Sequence, residues 1–249
     1  MIWAILAGNT RTVAALMRGL TIVRRNVVAT QSLKSRPTAL QWARALRRSS
    51  GCEGVIVASV VPPLDPILKK SIKSIFDKTP EFIRSGGRLG ISVKVKKPSQ
   101  VGADRLANAV AARELYGAPM IVVDYGTGTT FDVVDRKGAY RGGAILPGLG
   151  ISLRALHDFT AKIPLVKFEK VSYAVGRTTE EAVRSGIYHG AIGTTRELLQ
   201  KIRKQMGLKV PAIATGGWCW AFKSSGFFKA IEPDLTLRGM ALIWRKRHA

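Results

Sequence analysis

The chain has 249 residues, 46% of them hydrophobic, with 40 Lys and Arg against 16 Asp and Glu, a formal charge of +24 and a pI near 10.8. That length and apolar content fit one large or two ordinary globular domains and exclude a disordered tail. The two cysteines, Cys52 and Cys219, have no CxxC partner, and the three histidines are widely spaced, so neither a disulfide framework nor a zinc site is supported.

Ile2–Ala7 is too short for a signal peptide and lacks a basic leader, and no apolar run reaches membrane-spanning length, so a cytoplasmic protein without membrane attachment is expected. The basic residues come in small groups, such as Arg24/Arg25, Lys69/Lys70/Lys73 and Lys94/Lys96/Lys97. No aromatic residues are interleaved as stacking platforms, which argues against specific nucleic-acid binding. The positive field favours loose attraction of anions, a nucleotide among them.

In chain order, a buried strand is predicted over 1–7, a turn at Gly8-Asn9, and two further strands over 11–17 and 21–30, which makes an antiparallel meander. An amphipathic helix from Pro37 to about Arg48, a strand over 55–60 and a helix over 62–76 come next, then short strands around 81–84 and 91–95 and a helix beginning near Asp104. The second half repeats the order. Strands are predicted over 119–124, 130–135 and 139–146, helix from Gly150, a long helix over 179–206, a strand over 210–214, a short helix from Trp218 and a closing helix over 234–246. Two copies of one plan imply a duplicated α/β architecture, with domains at 1–117 and 118–249 and a ligand cleft between them.

Each meander opens on a strand, a Gly-rich turn and a second strand: Leu6-Ala-Gly-Asn-Thr10 and Asp124-Tyr-Gly-Thr-Gly-Thr-Thr130. Backbone amides and Thr hydroxyls at such turns can point at phosphate oxygens, and Gly lets the backbone come close. Neither is a Walker loop, and singly each reads as an ordinary hairpin bend; paired in equivalent places they favour a nucleotide. Asp124 ends an apolar strand, where a carboxylate needs a partner or a cation. Asp104 stands just before a helical pattern, and spacing alone favours an N-cap over a catalytic role, although a helix N-terminus is also an anion site. Arg105 could fork onto a carboxylate or phosphate. Thr178 to Glu181 reads as a capping box, and Thr215-Gly216-Gly217 as a turn where a purine could lie on bare backbone.

This order of motifs resembles the type III pantothenate kinases, within the actin-like, acetate- and sugar-kinase-like ATPase superfamily. The resemblance is densest over Pro98–Asn108, Val122–Asp132, Gly142–Gly148, Ser185–Gly190, Ala214–Gly217 and Pro233–Gly239. It implies duplicated ribonuclease-H-like domains, ATP-dependent phosphorylation of pantothenate as the first step of coenzyme A synthesis, Mg²⁺, a monovalent cation (K⁺ or NH₄⁺) and a homodimer. By it, Asp104 is the catalytic aspartate, Gly102, Arg105 and Thr179 bind substrate, and Asp124 serves the monovalent cation. Gly8, Asn9 and Thr10 form the first phosphate motif, Gly126, Thr127, Thr129 and Thr130 the second, and Gly216 and Gly217 the adenosine motif.

Three positions depart from the pattern. The family's first-strand aspartate is Leu6, with no Asp or Glu before Glu53; a usual tyrosine is Val95; and bulky Trp218 follows Gly217. Losing the carboxylate at position 6 should cost about 10²–10³ in rate. The alternative reading is an impaired homologue that binds nucleotide and acts as a regulatory protein.

Overall fold

The computed structural model describes residues 1–47, 51–207 and 209–249. Among the described residues, ten strands form two five-stranded sheets. The first comprises β1 (Ile2–Ala7), β2 (Arg11–Arg18), β3 (Thr21–Ala29), β4 (Gly54–Ser59) and β5 (Glu81–Phe82), in the order β3-β2-β1-β4-β5. The second comprises β6 (Met120–Tyr125), β7 (Gly128–Val134), β8 (Tyr140–Pro147), β9 (Ala212–Thr215) and β10 (Ala230–Ile231). From its other edge it runs β8-β7-β6-β9-β10, so both sheets place their strands third, second, first, fourth and fifth. The duplication expected from the sequence is therefore present as strand order.

The helices are α1 (Arg36–Arg47), α2 (Asp65–Phe76), α3 (Ala103–Tyr116), α4 (Leu149–Asp158), α5 (Thr179–Met206) and α6 (Leu235–Arg247). Chain contacts divide the molecule into one unit of Met1–Ala118, Val134–Arg141 and Asp234–Ala249, and another of Pro119–Val133 and Gly142–Pro233.

In the first unit β1 pairs antiparallel with β2 and parallel with β4. Trp3, Ile5 and Ala7 share a core with Trp42 and Leu46 of α1 and with Leu68, Ile72 and Phe76 of α2. Side chains alternate along a strand, so Ile2, Ala4 and Leu6 face the other side, where α3 and α6 pack. Those two helices cross at a glycine: a Cβ on Gly239 would overlap the carbonyl of Ala107, 2.6 Å from its carbon. Buried Thr236 donates to Asn108 across the same contact at 2.7 Å.

In the second unit Ile121, Val123 and Tyr125 of β6, Phe131 of β7 and Ala212 and Ala214 of β9 share a core with Leu149, Leu199 and Phe222. The long helix α5 starts on a side-chain cap in which the Thr178 hydroxyl accepts from Glu181 N at 3.2 Å. The expected box is displaced by one residue, because the Glu181 carboxylate accepts from Arg177 N rather than from Thr178 N.

The segment 91–95 is not a strand. It is pinned at one parallel bridge, Val93 to Tyr140, with Lys94 N donating to Tyr140 O and Tyr140 N to Ser92 O. Its alternating pattern gives half-buried Ile91, Val93 and Val95, but one residue's worth of pairing ends the ladder. The short strand β10, not foreseen, pairs parallel with β9 through two residues. The predicted helix end at Arg48 lies outside the described residues.

Candidate active site

In the first unit two of the motifs meet at the carboxyl ends of β1 and β4. The turn after β1 is fixed by Gly8 N donating to Arg11 O at 3.1 Å and by the Thr30 hydroxyl donating to Gly8 O at 2.6 Å. Val60 N, just past β4, donates to Ala7 O at 3.0 Å. Asn9 and Thr10 are exposed at the tip. The loop before α3 reaches the same edge, where a Cβ on Gly102 would stand 3.5 Å from Val60 Cγ1.

Asp104 is not the N-cap. That position is Gly102, with no side-chain cap, and Asp104 sits in the first helical turn, where a carboxylate complements the helix dipole. Its Oδ1 folds back to accept from Arg105 N at 2.8 Å. The same oxygen would lie 2.5 Å from a Cβ on Gly102, so a side chain there would displace the carboxylate. The glycine is what makes room for the acid. Burial pushes the Asp104 carboxyl above its ordinary 3.8, against the lowering effect of the Arg105 N–H and guanidinium. The Arg105 guanidinium lies 5.8 Å from the Tyr140 ring centre, a cation–π contact that orients it.

Leu6 occupies the fifth position of β1, half-buried, paired with Val13 and Ala58 and on the α3-facing side of the sheet. A carboxylate there would point toward the helix layer that carries Asp104. Val95 lies half-buried in the bridged segment described above.

In the second unit the alternation that buries Ile121, Val123 and Tyr125 sends Asp124 to the opposite face of the sheet. Thr130 and Asp132 of β7 and Thr215 of β9 share that face by the same rule, and Thr130 donates to Asp132 at 2.9 Å. Asp124 pairs in parallel register with Thr215. The turn after β9 is tied to β6 by Trp218 N donating to Tyr125 O at 3.1 Å. Gly216 has φ +89°, and a Cβ on it would overlap Asp124 Oδ1 and come within 2.6 Å of the Tyr125 carbonyl carbon. Gly126 N donates to Gly128 O and Gly148 N to Thr127 O, both at 3.1 Å, which closes the turn between β6 and β7.

The structure therefore gathers Asp124, Gly126 and Gly216 into one cluster, with Thr127 exposed at the turn tip. Thr129 goes elsewhere. Its buried side chain lines a cavity of about 220 Å³ on the core face, together with Tyr125, Phe131 and residues of α4 and α5, so only its main chain belongs to the turn. Thr179 is exposed at the first position of α5, with no hydrogen bond to the cluster among the described residues. Trp218 is absorbed by packing edge-on against Phe168 at 5.1 Å. Sequence reasoning passed over Thr215, which lay inside a motif that was read for its glycines.

The turns suit the phosphates of a nucleotide, since Gly216 keeps bare backbone beside Asp124. A monovalent cation is suited by the Asp124 carboxylate. For a divalent ion β1 offers Leu6 and no carboxylate, and no group of three His, Cys, Asp or Glu among the described residues could hold one.

A model of the type III pantothenate kinase family matches residues 2–201. The chain is 39% identical over 261 residues to the type III pantothenate kinase of Zymomonas mobilis, covering 99% of this chain and 93% of that one. It is 36% identical over 252 residues to that of Halalkalibacterium halodurans, covering 99% of each. Among solved structures, a ROK hexokinase from Thermus thermophilus superposes with a TM-score of 0.52 at 14% identity, covering 97% of each chain. The polyphosphate/ATP-glucomannokinase of an Arthrobacter strain does so at 0.52 and 12%, covering 98% of each. These two likenesses show the fold, that of duplicated ribonuclease-H-like domains.

Proposed function

Since the chain belongs to the type III pantothenate kinase family, and so transfers phosphate from ATP to pantothenate in coenzyme A biosynthesis, we propose that Asp104 takes the proton of the reacting hydroxyl. The observation that carries this is the placement of its carboxylate: folded over the first turn of α3, kept in place by Gly102, and raised in basicity by burial. A loose phosphoryl-transfer transition state asks chiefly for alignment of the alcohol and for a base near its proton. Arg105 and Gly102 help hold pantothenate, and Thr179 reaches the substrate from the start of α5.

Gly8, Asn9 and Thr10 present the first phosphate turn; Gly126, Thr127, Thr130 and the main chain of Thr129 present the second; Gly216 and Gly217 leave bare backbone for the adenosine. Asp124 holds the monovalent cation, which when bound supplies positive charge to the phosphates. Leu6 offers no oxygen to a Mg²⁺ that would accompany the nucleotide and neutralise phosphate charge, so a lowered turnover goes with this reading. A homodimer fits this reading, and the exposed large apolar side chains of the second unit, Ile145, Ile151, Phe159, Leu165, Val175 and Trp220, between 45% and 88% exposed, are candidates for its contact. A cytoplasmic location goes with this reading.

The test is product identification. Incubation with Mg-ATP, K⁺ and pantothenate should yield 4′-phosphopantothenate and ADP in equal amounts by mass spectrometry; ADP formed equally without pantothenate would overturn the assignment.

A further inference from the structure

The Thr215 side chain is fully buried, and its hydroxyl has no hydrogen-bond partner among the described residues. Buried hydroxyls are nearly always paired, because an unmade hydrogen bond leaves the whole desolvation penalty standing. Here the unpaired oxygen ends β9 directly beside Asp124 in parallel register, on strands about 4.8 Å apart and on the same face of the sheet. The two side chains do not hydrogen-bond to each other, although they are neighbours. Two ligands of one ion have that relation, since each turns a lone pair toward the ion rather than a proton toward the other.

The surroundings narrow what the oxygen can meet. Gly216 follows Thr215 at φ +89°, with Asp124 Oδ1 lying where its Cβ would be, so the carboxylate leans over the end of β9. Trp218 N holds the turn against Tyr125 O. Asp124 itself is half-exposed, whereas Thr215 is enclosed. Full enclosure keeps a phosphate or a purine from the hydroxyl, and the half-exposed carboxylate is the side from which a small ion would approach it.

We infer that Thr215 is a second protein ligand of the monovalent cation, its hydroxyl oxygen completing the site that Asp124 opens. This rests on the reading that a monovalent cation binds at Asp124. A neutral hydroxyl beside one carboxylate gives an oxygen site of single negative charge, matched to a univalent ion.

The test compares the native chain with Thr215→Val, Thr215→Ser and Asp124→Asn, by thermal unfolding in KCl against choline chloride at equal ionic strength and by ²⁰⁵Tl NMR titration. The native chain should melt higher in KCl and bind Tl⁺. Thr215→Val should bind at least tenfold more weakly, yet melt no lower than native in choline, because it loses an unsatisfied hydroxyl; Thr215→Ser should retain binding. If Thr215→Val binds as tightly as native while Asp124→Asn does not, the role of Thr215 is overturned and the Asp124 site stands. A Thr215→Val protein that melts lower in choline would show a structural hydroxyl and also overturn the inference. If the native chain responds to neither ion, the cation reading at Asp124 falls together with it.

Discussion

Replacing Leu6 by Asp installs the first-strand carboxylate that the sequence resemblance leads us to expect, and the structure sets what the change should cost and gain. Leu6 is half-buried in the central strand of its sheet, so removing it forfeits roughly 1 kcal/mol of apolar burial, about half the value for a fully buried leucine. Desolvating the new carboxylate adds about 1–2 kcal/mol, which together lower the melting temperature by roughly 4–12 °C for a chain of this size. Against this stands one electrostatic element in the transition state, about 3–4 kcal/mol or a factor of about 10²–10³ in kcat. A coupled assay of ADP release with saturating pantothenate and Mg-ATP measures the second, and thermal unfolding without nucleotide measures the first. The expected outcome is a less stable but faster enzyme, with the stability loss narrowed when Mg-ATP is present, since a ligand of the folded state shifts the equilibrium toward it. A Leu6→Asp variant no faster than a native chain that already turns over at an ordinary family rate would refute the reasoning, and would mean that other groups supply the missing charge.

Other substitutions probe the remaining geometry. Asp104 titrates above 3.8 in the folded chain, so the folded state binds more protons than the unfolded one between the two values; the stability it contributes is present at low pH and lost as pH rises through the folded value. Asp104→Asn should therefore melt higher than native at pH 7 and converge with it in acid, and a lower melting point at pH 7 would contradict the burial argument. In the native enzyme the acid limb of kcat should lie above the pH expected of an exposed aspartate. Gly216→Ala, strained at φ +89° and crowding Asp124, should weaken nucleotide binding by at least tenfold in a titration with a fluorescent ATP analogue. Phe159→Asp, at the most exposed large apolar side chain among the described residues, should give monomers in light scattering if Phe159 lies in the dimer contact.

Much of this was legible in the sequence because the residues concerned carry their own geometry. Apolar runs over 1–7 and 119–124 point to the central strands found at Ile2–Ala7 and Met120–Tyr125, and Thr178 three residues before Glu181 gives the start of α5 to the residue. The capping residue of α3 was misplaced for a definite reason. Ser, Thr, Asp or Asn is the usual N-cap, and Asp104 was read so, whereas the glycine two residues earlier takes the position because the carboxylate needs the space above it. Thr129 looked equivalent to Thr127 and Thr130 in the motif, but strand alternation, counted from the buried Phe131, turns it to the opposite face. Thr215 escaped notice because its distinguishing property, burial without a partner, depends on a strand 91 positions earlier in the chain and has no local signature.

The most direct measurement is the pantothenate-dependent release of ADP by the native chain beside Asp104→Asn, with ATP affinity determined for both. Native protein should release ADP only when pantothenate is present, and Asp104→Asn should bind ATP equally well and release essentially none. Equal rates from the two proteins would contradict the assignment of the proton-accepting role to Asp104.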